Sequence, residues 1–326
     1  DGIRDPLWSR GLGDVYKRQV YAQIELDLQN AIGSLPDSQS QIGRVNKYTA
    51  YALLGKVLLY QDKFNEAASA LDNVIGVYSL VSDYGSQFLR FGENGPESVF
   101  EIQYSNQSNW YDWGCAHCSE GNYAIIMNGP RGWSGPEYAQ GWSFNVPTAE
   151  FYNSFEEGDS RRDATVLDIE AFAAATGSSY TEGYDHTGYF NNKYIPRAGE
   201  SGGQTELNYL TNFRIIRYSD VLLMAAEAYN RGGIDDGLAQ EFLNQVRRRA
   251  FGDNDHDISA SGTALTDAIW EERKFELSLE GHRFFDLVRT GRASNLISGF
   301  VEGKHEVFPI PQQEIDISGL TQNAGY

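Results

Sequence analysis

Residues 46–75, which read NKYTAYALLGKVLLYQDKFNEAASALDNVI, carry two amphipathic helical patterns separated by a polar break at Gln61 and Asp62. Apolar residues recur about every three or four positions in both halves, which is the spacing of one helix face. Small residues such as Gly55 and Ala67 allow the two helices to approach closely. The stretch is typical of a tetratricopeptide-like helical hairpin. Such a unit cannot bury its apolar face alone, so the rest of the chain must supply neighbouring helices.

Further helical patterns lie at both ends of the chain. One covers residues 23–32 and ends before Pro36. Three others lie far downstream, and each places apolar side chains on one helix face. These three cover residues 217–233, 237–250 and 264–281. We therefore expect a helical scaffold made of residues 20–81 and 214–326.

The middle of the chain, residues 82–213, has a different character. It is rich in Gly, Asn, Ser, Trp and Tyr, and it shows little helical periodicity. Alternating apolar residues predict short strands in SVFEIQYS (98–105) and YFNNKYIP (189–196). Long loops carried by a rigid scaffold are where binding residues usually lie. The predicted fold is mostly α, with tetratricopeptide-like hairpins, one large irregular loop-rich excursion and a few short strands, in a single domain of residues 20–326.

The beginning of the chain carries an unusual sequence. Residues 9–19, SRGLGDVYKRQ, are the translation of one reading frame of a widely used transposase sequencing adapter. We expect residues 1–19 to be a non-native segment that is disordered or loosely attached, with Trp8 outside any core. A gene cut at its 5′ end would explain this, and a missing signal peptide then proves nothing about location.

The charge of the chain narrows the classes of ligand. The formal net charge is -19, and the charges are spread along the chain rather than grouped in blocks. Nucleic acid and anionic lipid surfaces both require clusters of Lys and Arg, so both are unfavourable partners. No apolar run reaches the ~18–20 residues of a membrane-spanning helix. A neutral ligand fits the composition best.

Two loops concentrate aromatic rings among polar residues, and they form the predicted binding region. They are SNWYDWGCAHC (108–118) and NGPRGWSGPEYAQGWS (128–143). The C–H face of a pyranose packs on an aromatic ring, and its hydroxyls bond to Asn, Asp or Arg at the rim. The candidate ligand-binding residues are Trp110, Tyr111, Trp113, Trp133, Trp142, Asn109, Asp112, Asn128, Arg131 and Tyr138. The alternative, that these residues fill gaps under long loops, stays open.

The sequence offers little support for a metal or cofactor. Cys115 and Cys118 form a single Cys-Ala-His-Cys pair, which favours a local disulfide or an inert pair over a zinc site. Asp253, Asp255 and Asp257 alternate as in a calcium loop, but the glycine and glutamate that such a loop requires are missing. A solvated turn is the better interpretation. We predict no cofactor and no metal.

Acidic residues in ERKFELSLEGHRFFDLVRTG (272–291) could suggest catalysis. Glu272, Glu276 and Glu280 lie on successive turns of the predicted helix. Arginines alternate with them, so ion pairs that fix the packing of the helix explain the pattern better than acid–base chemistry. The five histidines are scattered, and none pairs with a Cys or Ser in a nucleophile arrangement. We predict no catalytic residue.

Several segments, in this order, resemble the SusD/RagB family. They are NVPTAEFYNSFEEGDSRRD (145–163), RYSDVLLMAAEAYN (217–230), LNQVRRRA (243–250), ERKFELSLEGHRFFDLVRTG (272–291) and VFPIPQQEIDISGLTQNAGY (307–326). The hairpin at 46–75 fits the same pattern, and the resemblance extends over residues 20–326. It implies a SusD-like α-α superhelix that is not enzymatic. Family members are longer at the N-terminus, where they carry a lipidated cysteine.

The resemblance also implies a function. Members of this family are surface lipoproteins of Bacteroidetes that bind nutrients at the outer membrane. They pass glycans, or in some cases peptides, to a TonB-dependent transporter of the SusC type. We therefore expect oligosaccharide binding and delivery to such a transporter. The alternatives are a peptide-binding or protein-interaction scaffold and, less favoured, a hydrolase.

Overall fold

The computed structural model describes residues 13–107, 119–201 and 207–326, and it is mostly helical. Nine helices form the scaffold and its C-terminal extension, within the described residues. They are α1 (Gly13–Ser34), α2 (Lys47–Leu59), α3 (Phe64–Asp72), α8 (Tyr218–Arg231), α9 (Asp236–Phe251), α10 (Gly262–Glu276), α11 (Arg283–Arg289), α12 (Ala293–Leu296) and α13 (Gln312–Ser318). None of the described helices is both long and apolar enough to cross a bilayer.

Helices α2 and α3 form the hairpin that the sequence predicts. Asn46 begins α2, and its side chain accepts a hydrogen bond from the backbone N–H of Thr49. A Cβ atom on Gly55 would lie 2.5 Å from the side chain of Leu71, so glycine is what permits the close contact between the helices. The hairpin prediction is confirmed.

Helix α8 is the centre of the scaffold. Its residues Val221 to Ala226 are all fully buried, because α3, α9 and α10 pack around it. A helix that is apolar on all sides belongs inside a core rather than at its surface. The core therefore joins the hairpin near the start of the chain to the helices near its end, as the sequence predicts.

The excursion, together with the strand that leads out of it, carries four short α-helices and all six strands of the described residues. These are β1 (Ser98–Ile102), α4 (Ala124–Met127), β2 (Arg131–Ser134), α5 (Ala149–Asn153), α6 (Arg161–Thr165), β3 (Val166–Asp168), α7 (Ile169–Thr176), β4 (Ser179–Thr181), β5 (Tyr189–Asn191) and β6 (Phe213–Arg217). The strands form antiparallel pairs β1–β6, β2–β4 and β3–β5. The two predicted strands are confirmed as β1 and β5, whereas the four short helices and the other strands carried no clear periodic signal.

The excursion leaves and returns to the scaffold at one place, because its first strand pairs with the strand that leads into α8. In the β1–β6 pair, Ser98 lies opposite Arg217 and Ile102 lies opposite Phe213. The chain between β1 and β6 therefore forms one long loop, and its two ends are hydrogen-bonded to each other where it joins the scaffold.

A buried set of ion pairs joins the excursion to the scaffold. Arg217 donates to Glu97 at 2.7 Å, to Glu276 at 2.8 Å and to Glu280 at 2.8 Å. From the excursion, Arg161 reaches Glu276 and Lys193 reaches Glu280. We call the following residues the ion cluster: Glu97, Asp159, Arg161, Lys193, Arg217, Arg249, Glu272, Glu276 and Glu280. Their carboxylates are all paired with cations, so the structural interpretation of the acidic residues in 272–291 is confirmed.

The cations of the ion cluster keep the carboxylates of Glu276 and Glu280 charged. Burial by itself raises the pKa of Glu276, but the charges of Arg249, Arg217 and Arg161 outweigh it and hold that pKa well below its ordinary value. A group in this state has no proton to donate near neutral pH. Its contribution is to fix the junction between excursion and scaffold.

Helix α10 ends at Glu276, whereas the sequence pattern predicts a helix that continues to Gly281. The carbonyl oxygen of Glu276 accepts hydrogen bonds from Tyr84 at 2.7 Å, Arg217 at 2.9 Å and Lys193 at 3.0 Å. These three side chains satisfy a carbonyl that a longer helix would bond internally. The chain then turns, with Leu279 in the left-handed region at φ 63°.

Helix α1 begins at Gly13, so residues 13–19 are helical rather than disordered. A helix extends at low cost once its first turn exists, and the tertiary contacts of α1 with α2 supply that start. The side chains at residues 17–19 are exposed, and the loose attachment of residues 1–19 stays a prediction. Trp8 lies outside the described residues.

Candidate functional site

The first predicted aromatic loop lies outside the described residues. Asn109, Trp110, Tyr111, Asp112 and Trp113 belong to it, as do Cys115 and Cys118. Their assignment to a binding surface stays a prediction. The second loop, which contains β2 and the chain up to Asn145, is described in full.

Trp133 and Tyr138 lie in an aromatic group that supports β2. The ring centroid of Trp133 is 5.9 Å from that of Tyr138 and 5.9 Å from that of Phe172 on α7. Tyr138 is only 4% exposed, and its hydroxyl donates to Oδ1 of Asn192 at 3.3 Å. Burial raises the pKa of Tyr138 to about 12. These contacts leave Trp133 half-buried, and they bury Tyr138 inside the excursion.

Trp142 and Asn128 hold neighbouring parts of the loop in place. Trp142 is half-buried and packs against the apolar group around Ile125 and Ile126. Asn128 is 7% exposed, and its Nδ2 donates to the carbonyl oxygen of Tyr194 at 3.0 Å. Both side chains therefore sit mainly under the surface rather than on it.

Arg131 is the predicted residue that remains exposed. Its Nε donates to the carbonyl oxygen of Trp142 at 2.7 Å, and its guanidinium carbon lies 5.8 Å from the ring centroid of Phe144. This is the distance range of a cation–π contact. The guanidinium carries further N–H groups that could donate to a polar ligand.

Two aromatic rings that the sequence did not single out are exposed next to this loop. Phe144 is 52% exposed and Tyr184 is 90% exposed. The ring of Phe144 stands edge-on to that of Trp142, at 6.3 Å between centroids and an interplanar angle of 86°. We call Arg131, Phe144 and Tyr184 the aromatic surface.

The backbone around the aromatic surface is held in an unusual conformation. Ser143 and Asn145, on either side of Phe144, have φ values of 59° and 52°, and Asp185 after Tyr184 has a φ of 52°. Non-glycine residues in this region cost about 1–3 kcal/mol each and persist only where surrounding contacts impose them. Such strain often marks ligand-binding loops.

The contacts that impose this conformation are hydrogen bonds between the segments 141–144 and 126–130. Phe144 donates its backbone N–H to Met127 at 2.9 Å, and Gly141 donates to Pro130 at 2.8 Å. A Cβ atom on Gly141 would lie 1.8 Å from the carbonyl oxygen of Asn128, so only glycine fits there. The ring of Phe144 is thus presented by a fixed backbone.

The loop that carries Tyr184 lies against the same segment. A Cβ atom on Gly183 would approach that of Ser143 to 2.6 Å, so the two loops are in direct contact. Strand β4 pairs Thr181 with Arg131 of β2. These contacts bring together residues that are far apart in sequence. A shared local signal, an aromatic ring in a turn rich in Gly, Asn and Asp, could have identified both Phe144 and Tyr184.

A cavity of about 300 Å³ lies beside the aromatic surface. Phe144 and Asn145 line it on one side, and residues 279–281 after α10 line it on the other. Asn191 and Tyr194 also line it. In the sequence they lie on either side of Lys193, a residue of the ion cluster. The aromatic surface and the cavity therefore form one continuous candidate site.

The turn at residues 253–257 is a closed hydrogen-bonded turn. Oδ1 of Asp253 accepts from the backbone N–H of Asp255 at 2.9 Å, and Asp257 pairs with Arg248. Across residues 13–107, 119–201 and 207–326, no group of three or more His, Cys, Asp or Glu side chains is placed to hold a metal ion.

Comparison with known proteins shows a consistent set of relatives. A model of the SusD family matches residues 168–306. SusD-like protein P2 of Formosa agariphila is 30% identical; the match covers 95% of this chain and 65% of that protein. The chain thus spans just under two thirds of the length of this curated relative.

Solved structures give the same result. A laminarin binding SusD-like protein is 40% identical with a TM-score of 0.85, covering 95% of this chain and 69% of that one. Surface glycan-binding protein A from Bacteroides thetaiotaomicron, solved in complex with laminarihexaose, is 32% identical with a TM-score of 0.85, covering 94% and 70%. One of these relatives binds laminarin and the other is a surface glycan-binding protein, and both share the helical fold of this chain. The chain therefore belongs to the SusD family.

Proposed function

We propose that this protein binds a neutral glycan of the laminarin type on the aromatic surface, without catalysing any reaction on it. The observation that carries the proposal is the pair of exposed rings, Phe144 and Tyr184, next to left-handed backbone positions at Ser143, Asn145 and Asp185. A flat apolar ring next to the Arg131 guanidinium offers a stacking face and hydroxyl partners together. The binding of laminarin and laminarihexaose by similar proteins supports this choice of ligand.

The binding mode follows from the placement of these groups. A sugar ring would stack through its C–H face on Phe144 or Tyr184 while Arg131 donates to its hydroxyls. Each contact is open to water, so the free energy per contact is limited and several rings must bind together. We therefore expect moderate affinity that increases with the length of the oligosaccharide.

The test is calorimetric titration of the protein with laminarihexaose. Phe144→Ala and Tyr184→Ala should each weaken binding by about tenfold, a loss of about 1.4 kcal/mol, because each removes one stacking face. Phe308→Ala is the matched control, since Phe308 is 76% exposed but belongs to neither the excursion nor the cavity. It should leave the affinity unchanged.

Two results would overturn the proposal. One is binding of laminarihexaose that is unaffected by both substitutions. The other is retention of peptides from a library by a protein that retains no glycan, which would favour the peptide-binding alternative.

We also propose that the protein acts at the extracellular face of the outer membrane and delivers its glycan to a SusC-like TonB-dependent transporter. Membership of the SusD family supports this assignment. The full-length protein should co-purify with such a transporter from detergent-solubilised outer membranes. Its recovery in the cytosolic fraction, without a transporter, would contradict the assignment.

A further inference from the structure

The cavity beside the aromatic surface has the size of a single sugar ring. Its volume of about 300 Å³ lies at the lower end of the ~300–1,000 Å³ range of small-molecule sites. At about 30 Å³ per water molecule, it holds about ten waters. Phe144 lines the cavity and is also 52% exposed, so the cavity opens onto the aromatic surface.

The walls of the cavity offer flat apolar contacts. Phe144, Phe213 and Tyr194 line it, and the rings of Tyr194 and Phe213 are stacked, with centroids 4.9 Å apart and an interplanar angle of 24°. Such rings suit the C–H face of a pyranose, as the exposed rings outside the cavity do.

Two buried polar groups in the cavity have unused hydrogen-bonding capacity. Asn191 is 2% exposed, and its Oδ1 accepts from the backbone N–H groups of Lys193 and Tyr194. Within the described ranges, its Nδ2 has no hydrogen-bond partner. The hydroxyl of Tyr194 accepts from the backbone N–H of Arg214 at 3.1 Å, and no described residue accepts its own proton. Both residues line the cavity, so each could donate a hydrogen bond to a hydroxyl of a ligand there.

An acceptor lies in the same cavity. Glu280 lines it and is 4% exposed. Its Oε1 accepts from Lys193 and Arg217, and among the residues that the structure describes its Oε2 accepts only from Arg217, at 2.8 Å. A carboxylate oxygen can accept more than one hydrogen bond, so Oε2 retains capacity for a hydroxyl donor. Donors and an acceptor around flat apolar walls match the chemistry of a sugar ring.

We propose that this cavity takes the terminal sugar ring of the glycan, while the rest of the oligosaccharide lies on the aromatic surface. The inference rests on the proposed glycan-binding function and adds that the protein recognises a chain end. An internal ring has neighbours on both sides, and a cavity with room for one ring cannot hold them. The terminal ring is linked to only one other ring. That second ring would lie outside the cavity, next to Phe144.

The test compares laminarihexaose with a cyclic glucan of the same linkages, which has no chain end. We expect the wild-type protein to bind the linear hexasaccharide at least about tenfold more tightly, because only a terminal ring reaches the donors in the cavity. Ala124→Phe should remove this preference by weakening binding of the linear ligand about tenfold. Ala124 lines the cavity but is exposed at the start of α4, so the larger side chain fills the cavity without removing a core contact.

Ala149→Phe is the control, because Ala149 is also the exposed first residue of a short helix but does not line the cavity. It should bind both ligands as the wild-type protein does. Tyr194→Phe is a second test of the cavity: it removes one hydroxyl and should weaken only the linear ligand.

The outcomes separate this inference from the proposed function. Equal wild-type affinities for the linear and cyclic ligands, or an Ala124→Phe variant that binds laminarihexaose normally, would overturn chain-end recognition alone. In both cases Phe144→Ala would still weaken binding. A wild-type protein that binds neither ligand would overturn both proposals.

Discussion

The junction between the excursion and the scaffold buries charged side chains, whereas the surface of the excursion exposes aromatic ones. At the junction, charged groups are buried: Arg217 is 2% exposed and Glu276 is fully buried. On the excursion, large aromatic rings are exposed, with Phe144 at 52% and Tyr184 at 90%. Charge in the interior fixes the position of the excursion, and aromatic rings in solvent remain available to a ligand. Stability and binding therefore depend on different residues and should change independently.

The largest expected effect comes from breaking the ion cluster. Arg217→Met leaves Glu97, Glu276 and Glu280 buried without their main cation, so the free energy of unfolding should fall by about 3–5 kcal/mol. Urea denaturation followed by circular dichroism measures this change. As a control, Arg162→Met removes an arginine that pairs with Asp163 at the surface, and it should cost less than about 1 kcal/mol. Similar losses in the two variants would contradict the role of burial.

A second effect concerns the pH dependence of the scaffold. Nζ of Lys56 lies 3.2 Å from Nδ1 of His282. Burial, together with this ammonium group, lowers the pKa of His282 from 6.5 to about 4, although Asp220 opposes the shift. The unfolded chain therefore binds more protons between these values, and stability should fall as the pH drops from 6.5 towards 4. The full loss is about 3 kcal/mol, at about 1.4 kcal/mol per pKa unit.

Unfolding is measured from pH 7 to pH 5, and comparison with a His282 variant separates the contribution of His282 from that of Glu93, whose pKa is raised by burial. His282→Asn keeps a hydrogen-bond acceptor but does not titrate, so the loss due to His282 should be absent over the same interval. An equal slope in the variant and the wild-type protein would assign the pH dependence to other groups.

A smaller effect is expected in the hairpin. Gly55→Ala places a methyl group 2.5 Å from buried Leu71, which should cost about 1–3 kcal/mol through overpacking. Gly33→Ala in α1 meets no atom within 4 Å and should be neutral or stabilising by up to about 1 kcal/mol. Thermal unfolding of the two variants compares them directly. Equal thermal stability of the two variants would mean that the close contact between α2 and α3 contributes little to the stability of the protein.

The smallest effect on stability should come from the aromatic surface itself. Tyr184→Ala removes a side chain that is 90% exposed, so the free energy of unfolding should change by less than about 0.5 kcal/mol. Urea denaturation checks this value. A large destabilisation would show that Tyr184 supports the excursion, and that binding and stability are not separate.

The scaffold could be predicted from sequence because its signal is local and periodic. The hairpin and helices α8 to α10 each repeat apolar residues at helical spacing, and their pairing follows from the need to bury those faces. The end of α10 could not be predicted, since the donors that satisfy Glu276 come from Tyr84, Lys193 and Arg217, which are distant in sequence.

The candidate site could be predicted only in outline. The sequence singled out the loop that contains Arg131 as a binding region, which stays a prediction, but it did not indicate which rings reach the surface. Trp133 and Trp142 are large enough to pack under the loop, whereas Phe144 and Tyr184 are held out by left-handed backbone positions at Ser143, Asn145 and Asp185. Those positions depend on contacts between separate loops, which composition and spacing do not encode.

Hydrogen–deuterium exchange with and without laminarihexaose locates the binding surface most directly. The account predicts slower exchange on addition of ligand in residues 126–145 and 179–187, with no change in α8, α9 and α10. Protection confined to those three helices, with the two loop segments unaffected, would contradict it.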